Sequence, residues 1–314
     1  MPNPSTNRPL RLGTRKSPLA LAQAEEARAR LIAAHGLARE AVELVTVTAS
    51  GDRFQDRPLA EIGGKALWTK ELDAWLLAGE IDFAVHSLKD VETLRPPEFA
   101  IAAILPREDV RDVLIGAESI EALPEGAHVG TSSPRRAAQM LRLRPDCRIV
   151  PFRGNVATRL AKLEAGEADA TLLAAAGLNR LGESVGAPLD AGTWLPAVGQ
   201  GAIAIECRAE DAEMRSLLSA IDHSPSHAAI SAERALLAAL GGTCHSPVAA
   251  LAQQSGDGLL LRAALLSEYG EEYVEDEITL AIGDKAAIEA FAAGLLGRAS
   301  PEVARQFTGP HPLP

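Results

Sequence analysis

HVGTSSPRRAAQMLRLRPDCRIVPFRGNVATRLAKLEAGEADATLLAAAGLNRLG, residues 128–182, changes its period several times within one stretch. His128 to Thr131 reads as a short strand, and Ser132-Ser133-Pro134 then opens a helix that runs through Leu143. Serine beside a helix start accepts from an orphan N–H, and proline in the first turn has no N–H to lose. Arg148 to Phe152 reads as a second strand, followed by Arg153-Gly154-Asn155 and a helix ending at Gly166. Asp169 to Ala174 is a third strand, running into AGLNRLG. Strands alternating with helices predict an α/β architecture with largely parallel sheets.

The same rhythm extends toward the N-terminus. Arg11 to Thr14 is strand-like, Ser17 and Pro18 start a helix, and Gly36 closes it. Val42 to Thr48 alternates with β-branched residues as a strand does. SGDRFQDRPLAEIGGK, residues 50–65, is a polar loop of a length usual for lids and binding loops. Thr69 to Ala78 is helical with Gly79 beyond its end, and Ile81 to Val85 is a buried strand ending in HSLKD. Toward the C-terminus, LPAVGQGAIAIECR (195–208) reads as a crossover with a strand at Ala202 to Glu206. After Pro225 a long helix leads to a glycine turn, then strand-like stretches near Val248, Leu259 and Tyr273, and a helix from Asp284 to Leu296. That tail predicts a smaller α+β domain.

Length and composition set limits on the function. A chain of 314 residues, 47% hydrophobic and 23% charged, has the profile of a globular protein of two or three domains. A net charge of -11 argues against bulk electrostatic binding of nucleic acid, so any bound anion needs a local basic cluster. The N-terminal residues lack a signal-peptide core, and no run of roughly 20 apolar residues could span a bilayer. Three widely spaced cysteines, Cys147, Cys207 and Cys244, fit a reducing compartment. A soluble cytoplasmic protein is expected.

The arginines supply that cluster. Arg15 precedes the Ser-Pro helix start, Arg135 and Arg136 lie in the first turn of another helix, and Arg153 and Asn155 stand at a strand-to-helix turn with Arg159 one turn later. Helix N-termini attract anions, and a cation placed there is unfavourable until an anion arrives. Any single arginine could be a solvated cap; the whole set points to a polyanion bound beyond the strand ends. Carboxylates or phosphates would both suit, although no GxxxxGK[ST] loop supports a nucleotide. HSLKD adds His86, Lys89 and Asp90 at another strand end. Asp90, near several arginines, is expected to carry its charge, and could stabilise a cation or exchange a proton with an amine. On residue type alone, an ion pair that orders the loop is the simpler reading.

Cys147 and Cys207 lie in apolar runs and read as packing. His223 and His227 share helical spacing, but Ser-Pro-Ser between them favours a helix start, and no metal site is expected. LGGTCHSP, residues 240–247, isolates Cys244 in a glycine-marked turn, where it could be filler, a nucleophile or a covalent attachment point. Two functional readings remain at this level: an enzyme acting on a polycarboxylate with Asp90 and Cys244, or a two-lobed solute receptor. The missing export signal and the third domain count against the receptor.

A series of motifs settles the choice by resemblance. RLGTRKSPLALAQAE (11–25), GDRFQDRPLAEIGGKALWTKELDAWLLAGEIDFAVHSLKDV (51–91), REDVRDVLI (107–115), VGTSSPRRAAQ (129–139), FRGNVATRLAKLEAGEADATLLAAAGLNRLG (152–182), LPAVGQGAIAIECR (195–208) and ERALLAALGGTCHSPV (233–248) resemble the porphobilinogen deaminase (hydroxymethylbilane synthase) family, in the family's order. The resemblance implies two lobes of the type II periplasmic-binding-protein kind, with mixed, largely parallel sheets, and a smaller C-terminal α+β domain. It divides the chain into domain 1 (1–104 and 200–220, with a lid at 50–65), domain 2 (105–199) and domain 3 (221–314). The implied activity is that of a transferase of haem and tetrapyrrole biosynthesis. It joins four porphobilinogen molecules head to tail, with loss of ammonia, into hydroxymethylbilane on a covalent dipyrromethane cofactor. A cytoplasmic monomer is implied, with the product handed to uroporphyrinogen III synthase and no nucleic acid or membrane partner.

The residue roles implied by the resemblance are specific. Cys244 matches the thioether anchor of the cofactor and Asp90 the catalytic aspartate. Lys89, Thr131, Ser132, Ser133, Arg135, Arg136 and Arg159 match cofactor contacts; Arg15, Ser17, Arg153, Asn155 and Arg180 match substrate contacts; Lys65 and Trp68 belong to the lid. Each pyrrole carries an acetate and a propionate, so a chain of six rings presents about a dozen carboxylates to the arginines. The sequence departs from the usual pattern at Glu92, where proline is common, at Trp68, where phenylalanine is common, and at Thr243, where glycine usually precedes the cysteine.

Overall fold

Short runs of buried aliphatic residues form the strands, and polar caps start most of the helices between them. The computed structural model describes residues 8–47, 69–243 and 245–307. The expected lid loop 50–65 with Lys65, and also Trp68 and Cys244, lie outside the described residues. β1 (Leu10–Arg15) buries Leu10 and Leu12, and the Ser17 hydroxyl accepts from the Ala20 N–H to cap α1 (Pro18–His35). Gly36, at φ 63°, closes that helix in the left-handed region. β2 (Val42–Val47), α2 (Lys70–Leu77), β3 (Phe83–Ser87) and β4 (Phe99–Ile104) complete the N-terminal run.

The second run comprises β5 (Asp112–Ile115), β6 (His128–Gly130), α3 (Pro134–Leu143), β7 (Arg148–Val150), α4 (Val156–Glu164), β8 (Ala170–Ala174), α5 (Ala175–Leu181) and β9 (Ala187–Pro188). β10 (Ile203–Arg208) then returns to the first sheet, whose order is β2-β1-β3-β10-β4. The second sheet is ordered β7-β6-β8-β5-β9. In each sheet the middle of the order repeats: parallel pairing on one side, then one antiparallel strand, β10 or β5, between two neighbours. Four strands of each sheet therefore run one way. This is the largely parallel pattern the alternation predicts, made mixed by β10 and β5, in two similar lobes.

The chain crosses between lobes twice, through residues 105–111 and 189–202, and the crossings touch. The Glu108 N–H donates to the Gly201 carbonyl (3.2 Å), and Arg107 Nε to the Gln200 carbonyl (2.8 Å). After α6 (Ala212–Ser219), which packs on the first lobe, α7 (Ser224–Leu240) opens a smaller α+β domain. β11 (Val248–Ser255), β12 (Gly258–Leu266) and β13 (Tyr273–Ala281) form its antiparallel sheet, and α8 (Lys285–Arg298) and α9 (Pro301–Ala304) follow. Leu236, Leu240, Leu261, Leu265 and Leu295 share its core. Buried Glu233 of α7 clamps this domain to both crossings, accepting from Arg107 Nη1 (2.6 Å), the Gly199 N–H (2.8 Å) and the Ala252 N–H (2.8 Å).

Several elements differ from their sequence reading. The sequence reading leaves out β4, β5, β9 and α6, although Asp211 caps α6 by accepting from the Met214 N–H (2.9 Å). Strand β7 stops at Val150, because Phe152 turns inward over Gly130, where a Cβ would stand 2.5 Å from its ring. His223 is a helix cap, its ring accepting from the Ser226 N–H, and His227 Nδ1 lies 2.7 Å from Asp222. Cys147 and Cys207 pack in the cores of the second and first lobes.

The contact between crossings is tight at Gly201, whose φ is +83° and whose Cβ, if present, would lie 2.5 Å from the Glu108 carbonyl oxygen. Gly201→Ala is expected to destabilise the protein by roughly 1–3 kcal/mol, read as a lower urea midpoint. Gly36→Ala, left-handed but with open space around it, should cost less. Equal midpoints for the two variants would contradict the close crossing.

Candidate active site

Strand ends and helix starts converge on one cleft between the lobes, with a volume of about 720 Å³. Arg15 ends β1 and Ser17 caps α1 on one wall, and Lys89 and Asp90 follow β3. On the facing wall, Ser133 caps α3 by accepting from the Arg136 N–H (3.5 Å), and Asn155 caps α4 by accepting from the Thr158 N–H (2.9 Å). Capping side chains therefore fix the first turns that carry the arginines.

The cleft concentrates positive charge. Among the described residues lining it, Arg15, Lys16, Lys89, Arg135, Arg136, Arg153, Arg159 and Arg234 are basic, against Asp90 and Glu183 as the acids. A chain with net charge -11 thus holds its anion site in one local cluster. Burial and the charge of Arg136 push Lys89 down to about 8, with Asp90 and Asp112 opposing. Its Nζ donates to Gln200 Oε1 at 3.3 Å. Arg159 is pushed down to about 10 by burial and by Arg136 and Arg153, and its Nε donates to the Gly154 carbonyl (3.1 Å). Such strained cations gain from an incoming carboxylate.

Asp90 stands partly open to the cleft, its side chain 37% exposed, with Arg15 Nη1 at 3.9 Å from Oδ2. Of the other expected contacts, Ser132, Ser133, Arg135, Arg136, Arg153, Asn155 and Arg159 line the cleft with Arg15, Ser17 and Lys89. Thr131 is buried behind it, where its Oγ1 accepts from the Ser133 N–H (3.2 Å). Arg180 lies outside the lining: its Nε meets Glu26 Oε2 (3.2 Å) and its Nη2 the Gly201 carbonyl (3.3 Å), tying α5 to α1.

Sequence reasoning missed the anion that Arg135 and Arg136 already have. Asp112, at the start of β5, is buried and meets Arg135 Nη2 (2.8 Å) and Arg136 Nη2 (2.7 Å). Burial opposes its charge, but the two guanidiniums overcome that and hold its carboxyl far below the usual carboxylate range. A lone acid opening a four-residue apolar strand was the available signal.

The loop after Asp90 leans on the turn that contains Cys244. Thr93 Oγ1 donates to the Gly242 carbonyl (3.1 Å), and Arg234 Nη2 to the carbonyls of Glu92 (2.7 Å) and Thr93 (3.0 Å). Thr243 and His245, the neighbours of Cys244, line the cleft. Glu92 joins a buried network, accepting from Thr69 Oγ1 (2.9 Å) and Arg95 Nη1 (2.6 Å). Arg95 also binds Asp73 and Glu206; burial works against Glu206, but the His86 ring at 3.4 Å and hydrogen bonds from Arg95 bring it down to about 2. The loop that positions Asp90 is thus braced from behind.

Lys89 offers a direct test of these electrostatics. Its ammonium is expected to titrate near 8, charged below and neutral above, in NMR spectra of lysine-labelled protein assigned with Lys89→Arg. A midpoint at the ordinary lysine value of roughly 10.4 would contradict the buried, cation-crowded site.

Comparisons with known proteins agree along nearly the whole chain. The family model described as porphobilinogen deaminase, dipyromethane cofactor binding domain, matches residues 10–216, and that for the porphobilinogen deaminase C-terminal domain matches residues 227–295. The porphobilinogen deaminase of Sphingopyxis alaskensis is 60% identical over 306 residues, covering 95% of this chain and 96% of that one. The Paracoccus denitrificans porphobilinogen deaminase is 51% identical over 304 residues, again covering 95% and 96%. Among solved structures, the Bordetella pertussis BvgS VFT2 domain aligns with a TM-score of 0.41 at 16% identity, covering 68% of this chain and 85% of that one. With both family models spanning the lobes and the tail, the chain belongs to the porphobilinogen deaminase family.

Proposed function

We propose that the cleft is the family's active site, with Asp90 as its catalytic carboxylate and Cys244 as the anchor of the cofactor. The activity is that of a hydroxymethylbilane synthase, which condenses four porphobilinogen molecules into hydroxymethylbilane with release of ammonia. The observation that carries the site assignment is the charge imbalance of the cleft, eight basic side chains facing two acids. That donor set fits a ligand bearing two carboxylates per ring, and it fits the dipyrromethane cofactor for the same reason. When bound, dipyrromethane supplies the ring carbon to which the first substrate unit is joined.

In this reading the residues divide the work by position. Lys89, Ser132, Ser133, Arg135, Arg136 and Arg159 hold the cofactor's carboxylates, with Thr131 setting the turn beneath them. Arg15, Ser17, Arg153 and Asn155 receive those of the incoming porphobilinogen. Arg180 joins them only if its bond to Glu26 opens. Asp90, open to the cleft, places negative charge where the substrate becomes a cationic azafulvene as ammonia leaves. The same group can take up the proton lost from the substituted ring carbon and, so protonated, pass it to the departing amine, which returns it to the carboxylate form.

Sheet membership supports a division into domain 1 (1–104 and 200–220), domain 2 (105–199) and domain 3 (221–314). The repeated strand order supports lobes of the type II periplasmic-binding-protein kind. No helix among the described residues is long and apolar enough to cross a membrane. A cytoplasmic monomer that hands its product to uroporphyrinogen III synthase completes the reading.

Two variants test it. Cys244→Ser should fold but lack the two-pyrrole adduct in its intact mass, and turnover should vanish; an adduct still present would refute the anchor. Asp90→Asn should keep porphobilinogen affinity while kcat falls by about 100-fold or more, as removal of about 3 kcal/mol of electrostatic stabilisation requires. Near-normal turnover would leave Asp90 an ordinary partner of Arg15.

A further inference from the structure

We propose that Asp112 is a positioning residue of the cleft: its carboxylate holds Arg135 and Arg136 in place and, through Gln200, sets Lys89 beside Asp90. The proposal rests on the reading of the cleft as the deaminase active site.

Asp112 is 1% exposed, and both of its oxygens are shared. Oδ1 accepts from Arg136 Nη2 (2.7 Å) and Gln200 Nε2 (2.8 Å). Oδ2 accepts from Trp194 Nε1 (2.8 Å) and lies 2.8 Å from Arg135 Nη2. A carboxylate offers about four lone-pair positions, so this one is filled. The guanidiniums are held again by main chain, Arg135 Nη1 on the Leu195 carbonyl (3.0 Å) and Arg136 Nη1 on the Leu172 carbonyl (2.8 Å). Two adjacent cations would otherwise repel each other and swing apart. With one shared carboxylate the trio keeps a single net positive charge for a ligand, in a fixed place. The Nε–H of each arginine is buried without an acceptor, so the protein leaves both only partly satisfied.

Gln200 carries the effect to the other lobe. Its amide nitrogen donates to Asp112 Oδ1 and to the Val110 carbonyl (2.7 Å), so its oxygen must face away from both. That oxygen accepts from Lys89 Nζ at 3.3 Å. Reversing the amide would set its oxygen against a carboxylate and a carbonyl, so the orientation is fixed by Asp112. The sequence neighbour of Lys89 is Asp90. Asp112, buried in the second lobe, thereby sets an ammonium of the first lobe that lines the cleft.

The charged groups around Lys89 are Asp90 from its own turn, Arg135 and Arg136 from α3, and Asp112 from β5. Asp112 and Asp90 favour its charged form; the two arginines and burial oppose it. Loss of the Asp112 charge therefore makes Lys89 easier to deprotonate. It also leaves Arg135 and Arg136 facing each other with no anion between them.

The test uses the full-length holoenzyme and Asp112→Asn, with Asp112→Glu and Gln200→Met alongside. In Asp112→Asn the Lys89 titration should move below about 8, and because a cofactor held loosely by Lys89, Arg135 and Arg136 misplaces the acceptor for the incoming unit, KM for porphobilinogen should rise about tenfold. The rise in KM with pH should begin earlier than in the parent. Asp112→Glu keeps the charge and should hold the Lys89 midpoint near its parent value. Gln200→Met breaks the relay without touching the buried ion pairs, so it should raise KM even if Asp112→Asn does not fold. A merely structural Asp112 would lower stability and leave the Lys89 midpoint and the pH profile of KM unmoved; that result overturns the proposal. The parent enzyme, run beside the variants, keeps the two readings apart. Absence of adduct and turnover in the parent would fail the deaminase assignment, while the Lys89 midpoints alone would still decide the positioning role.

Discussion

Two guanidiniums sharing one buried carboxylate impose the constraint around which the lobes are arranged. Asp112 begins β5, the strand that the first crossing delivers into the second lobe. Its partners Trp194 and Gln200 belong to the second crossing, and its arginines open α3. Removing one member of such a buried set strands the others in a medium that cannot solvate them, which typically costs about 3–5 kcal/mol. The crossings, the helix that presents the arginines and the lysine of the facing lobe are thus held by one set of bonds. Glu233 does the same for the third domain, joining Arg107 and the Gly199 N–H of the crossings to the sheet at Ala252.

The protein reconciles an acidic chain with a polyanionic ligand by segregation. Acids that approach the cleft are neutralised by their own partners, Glu206 by Arg95 and Asp112 by the α3 arginines. Asp90 keeps a long 3.9 Å contact with Arg15 and remains open. In the proposed reading this leaves its carboxylate to a cation that forms only during reaction, as electrostatic catalysis requires. Arg159 and Lys89, lowered by burial and by neighbouring cations, would each be stabilised in the charged form by ligand carboxylates.

Much of this was legible from local pattern. Ser17, Ser133 and Asn155 each cap the helix that their position announces, because a cap is a matter of three or four residues. The arginine-lined cleft followed from those caps. What escaped was non-local. β9 is two residues long, and β4 and β5 are joined by a crossing with no helix, so neither shows the strand–helix rhythm. Asp112 looks like any acid beside an arginine until folding brings Arg136, 24 positions away, and Trp194, 82 away, to its oxygens. Arg180 carries the family's motif, yet its bond to Glu26 depends on how α5 meets α1, which no motif records.

A crystal structure of the holoenzyme with dipyrromethane on Cys244 is the most direct measurement. It should show ligand carboxylates bonded to Lys89, Arg135, Arg136 and Arg159, with Arg135 and Arg136 still joined to Asp112 and Gln200 still turned toward Lys89. Ligand carboxylates directed away from these cations, or an Asp112 released by both arginines when the cofactor is in place, would contradict the account.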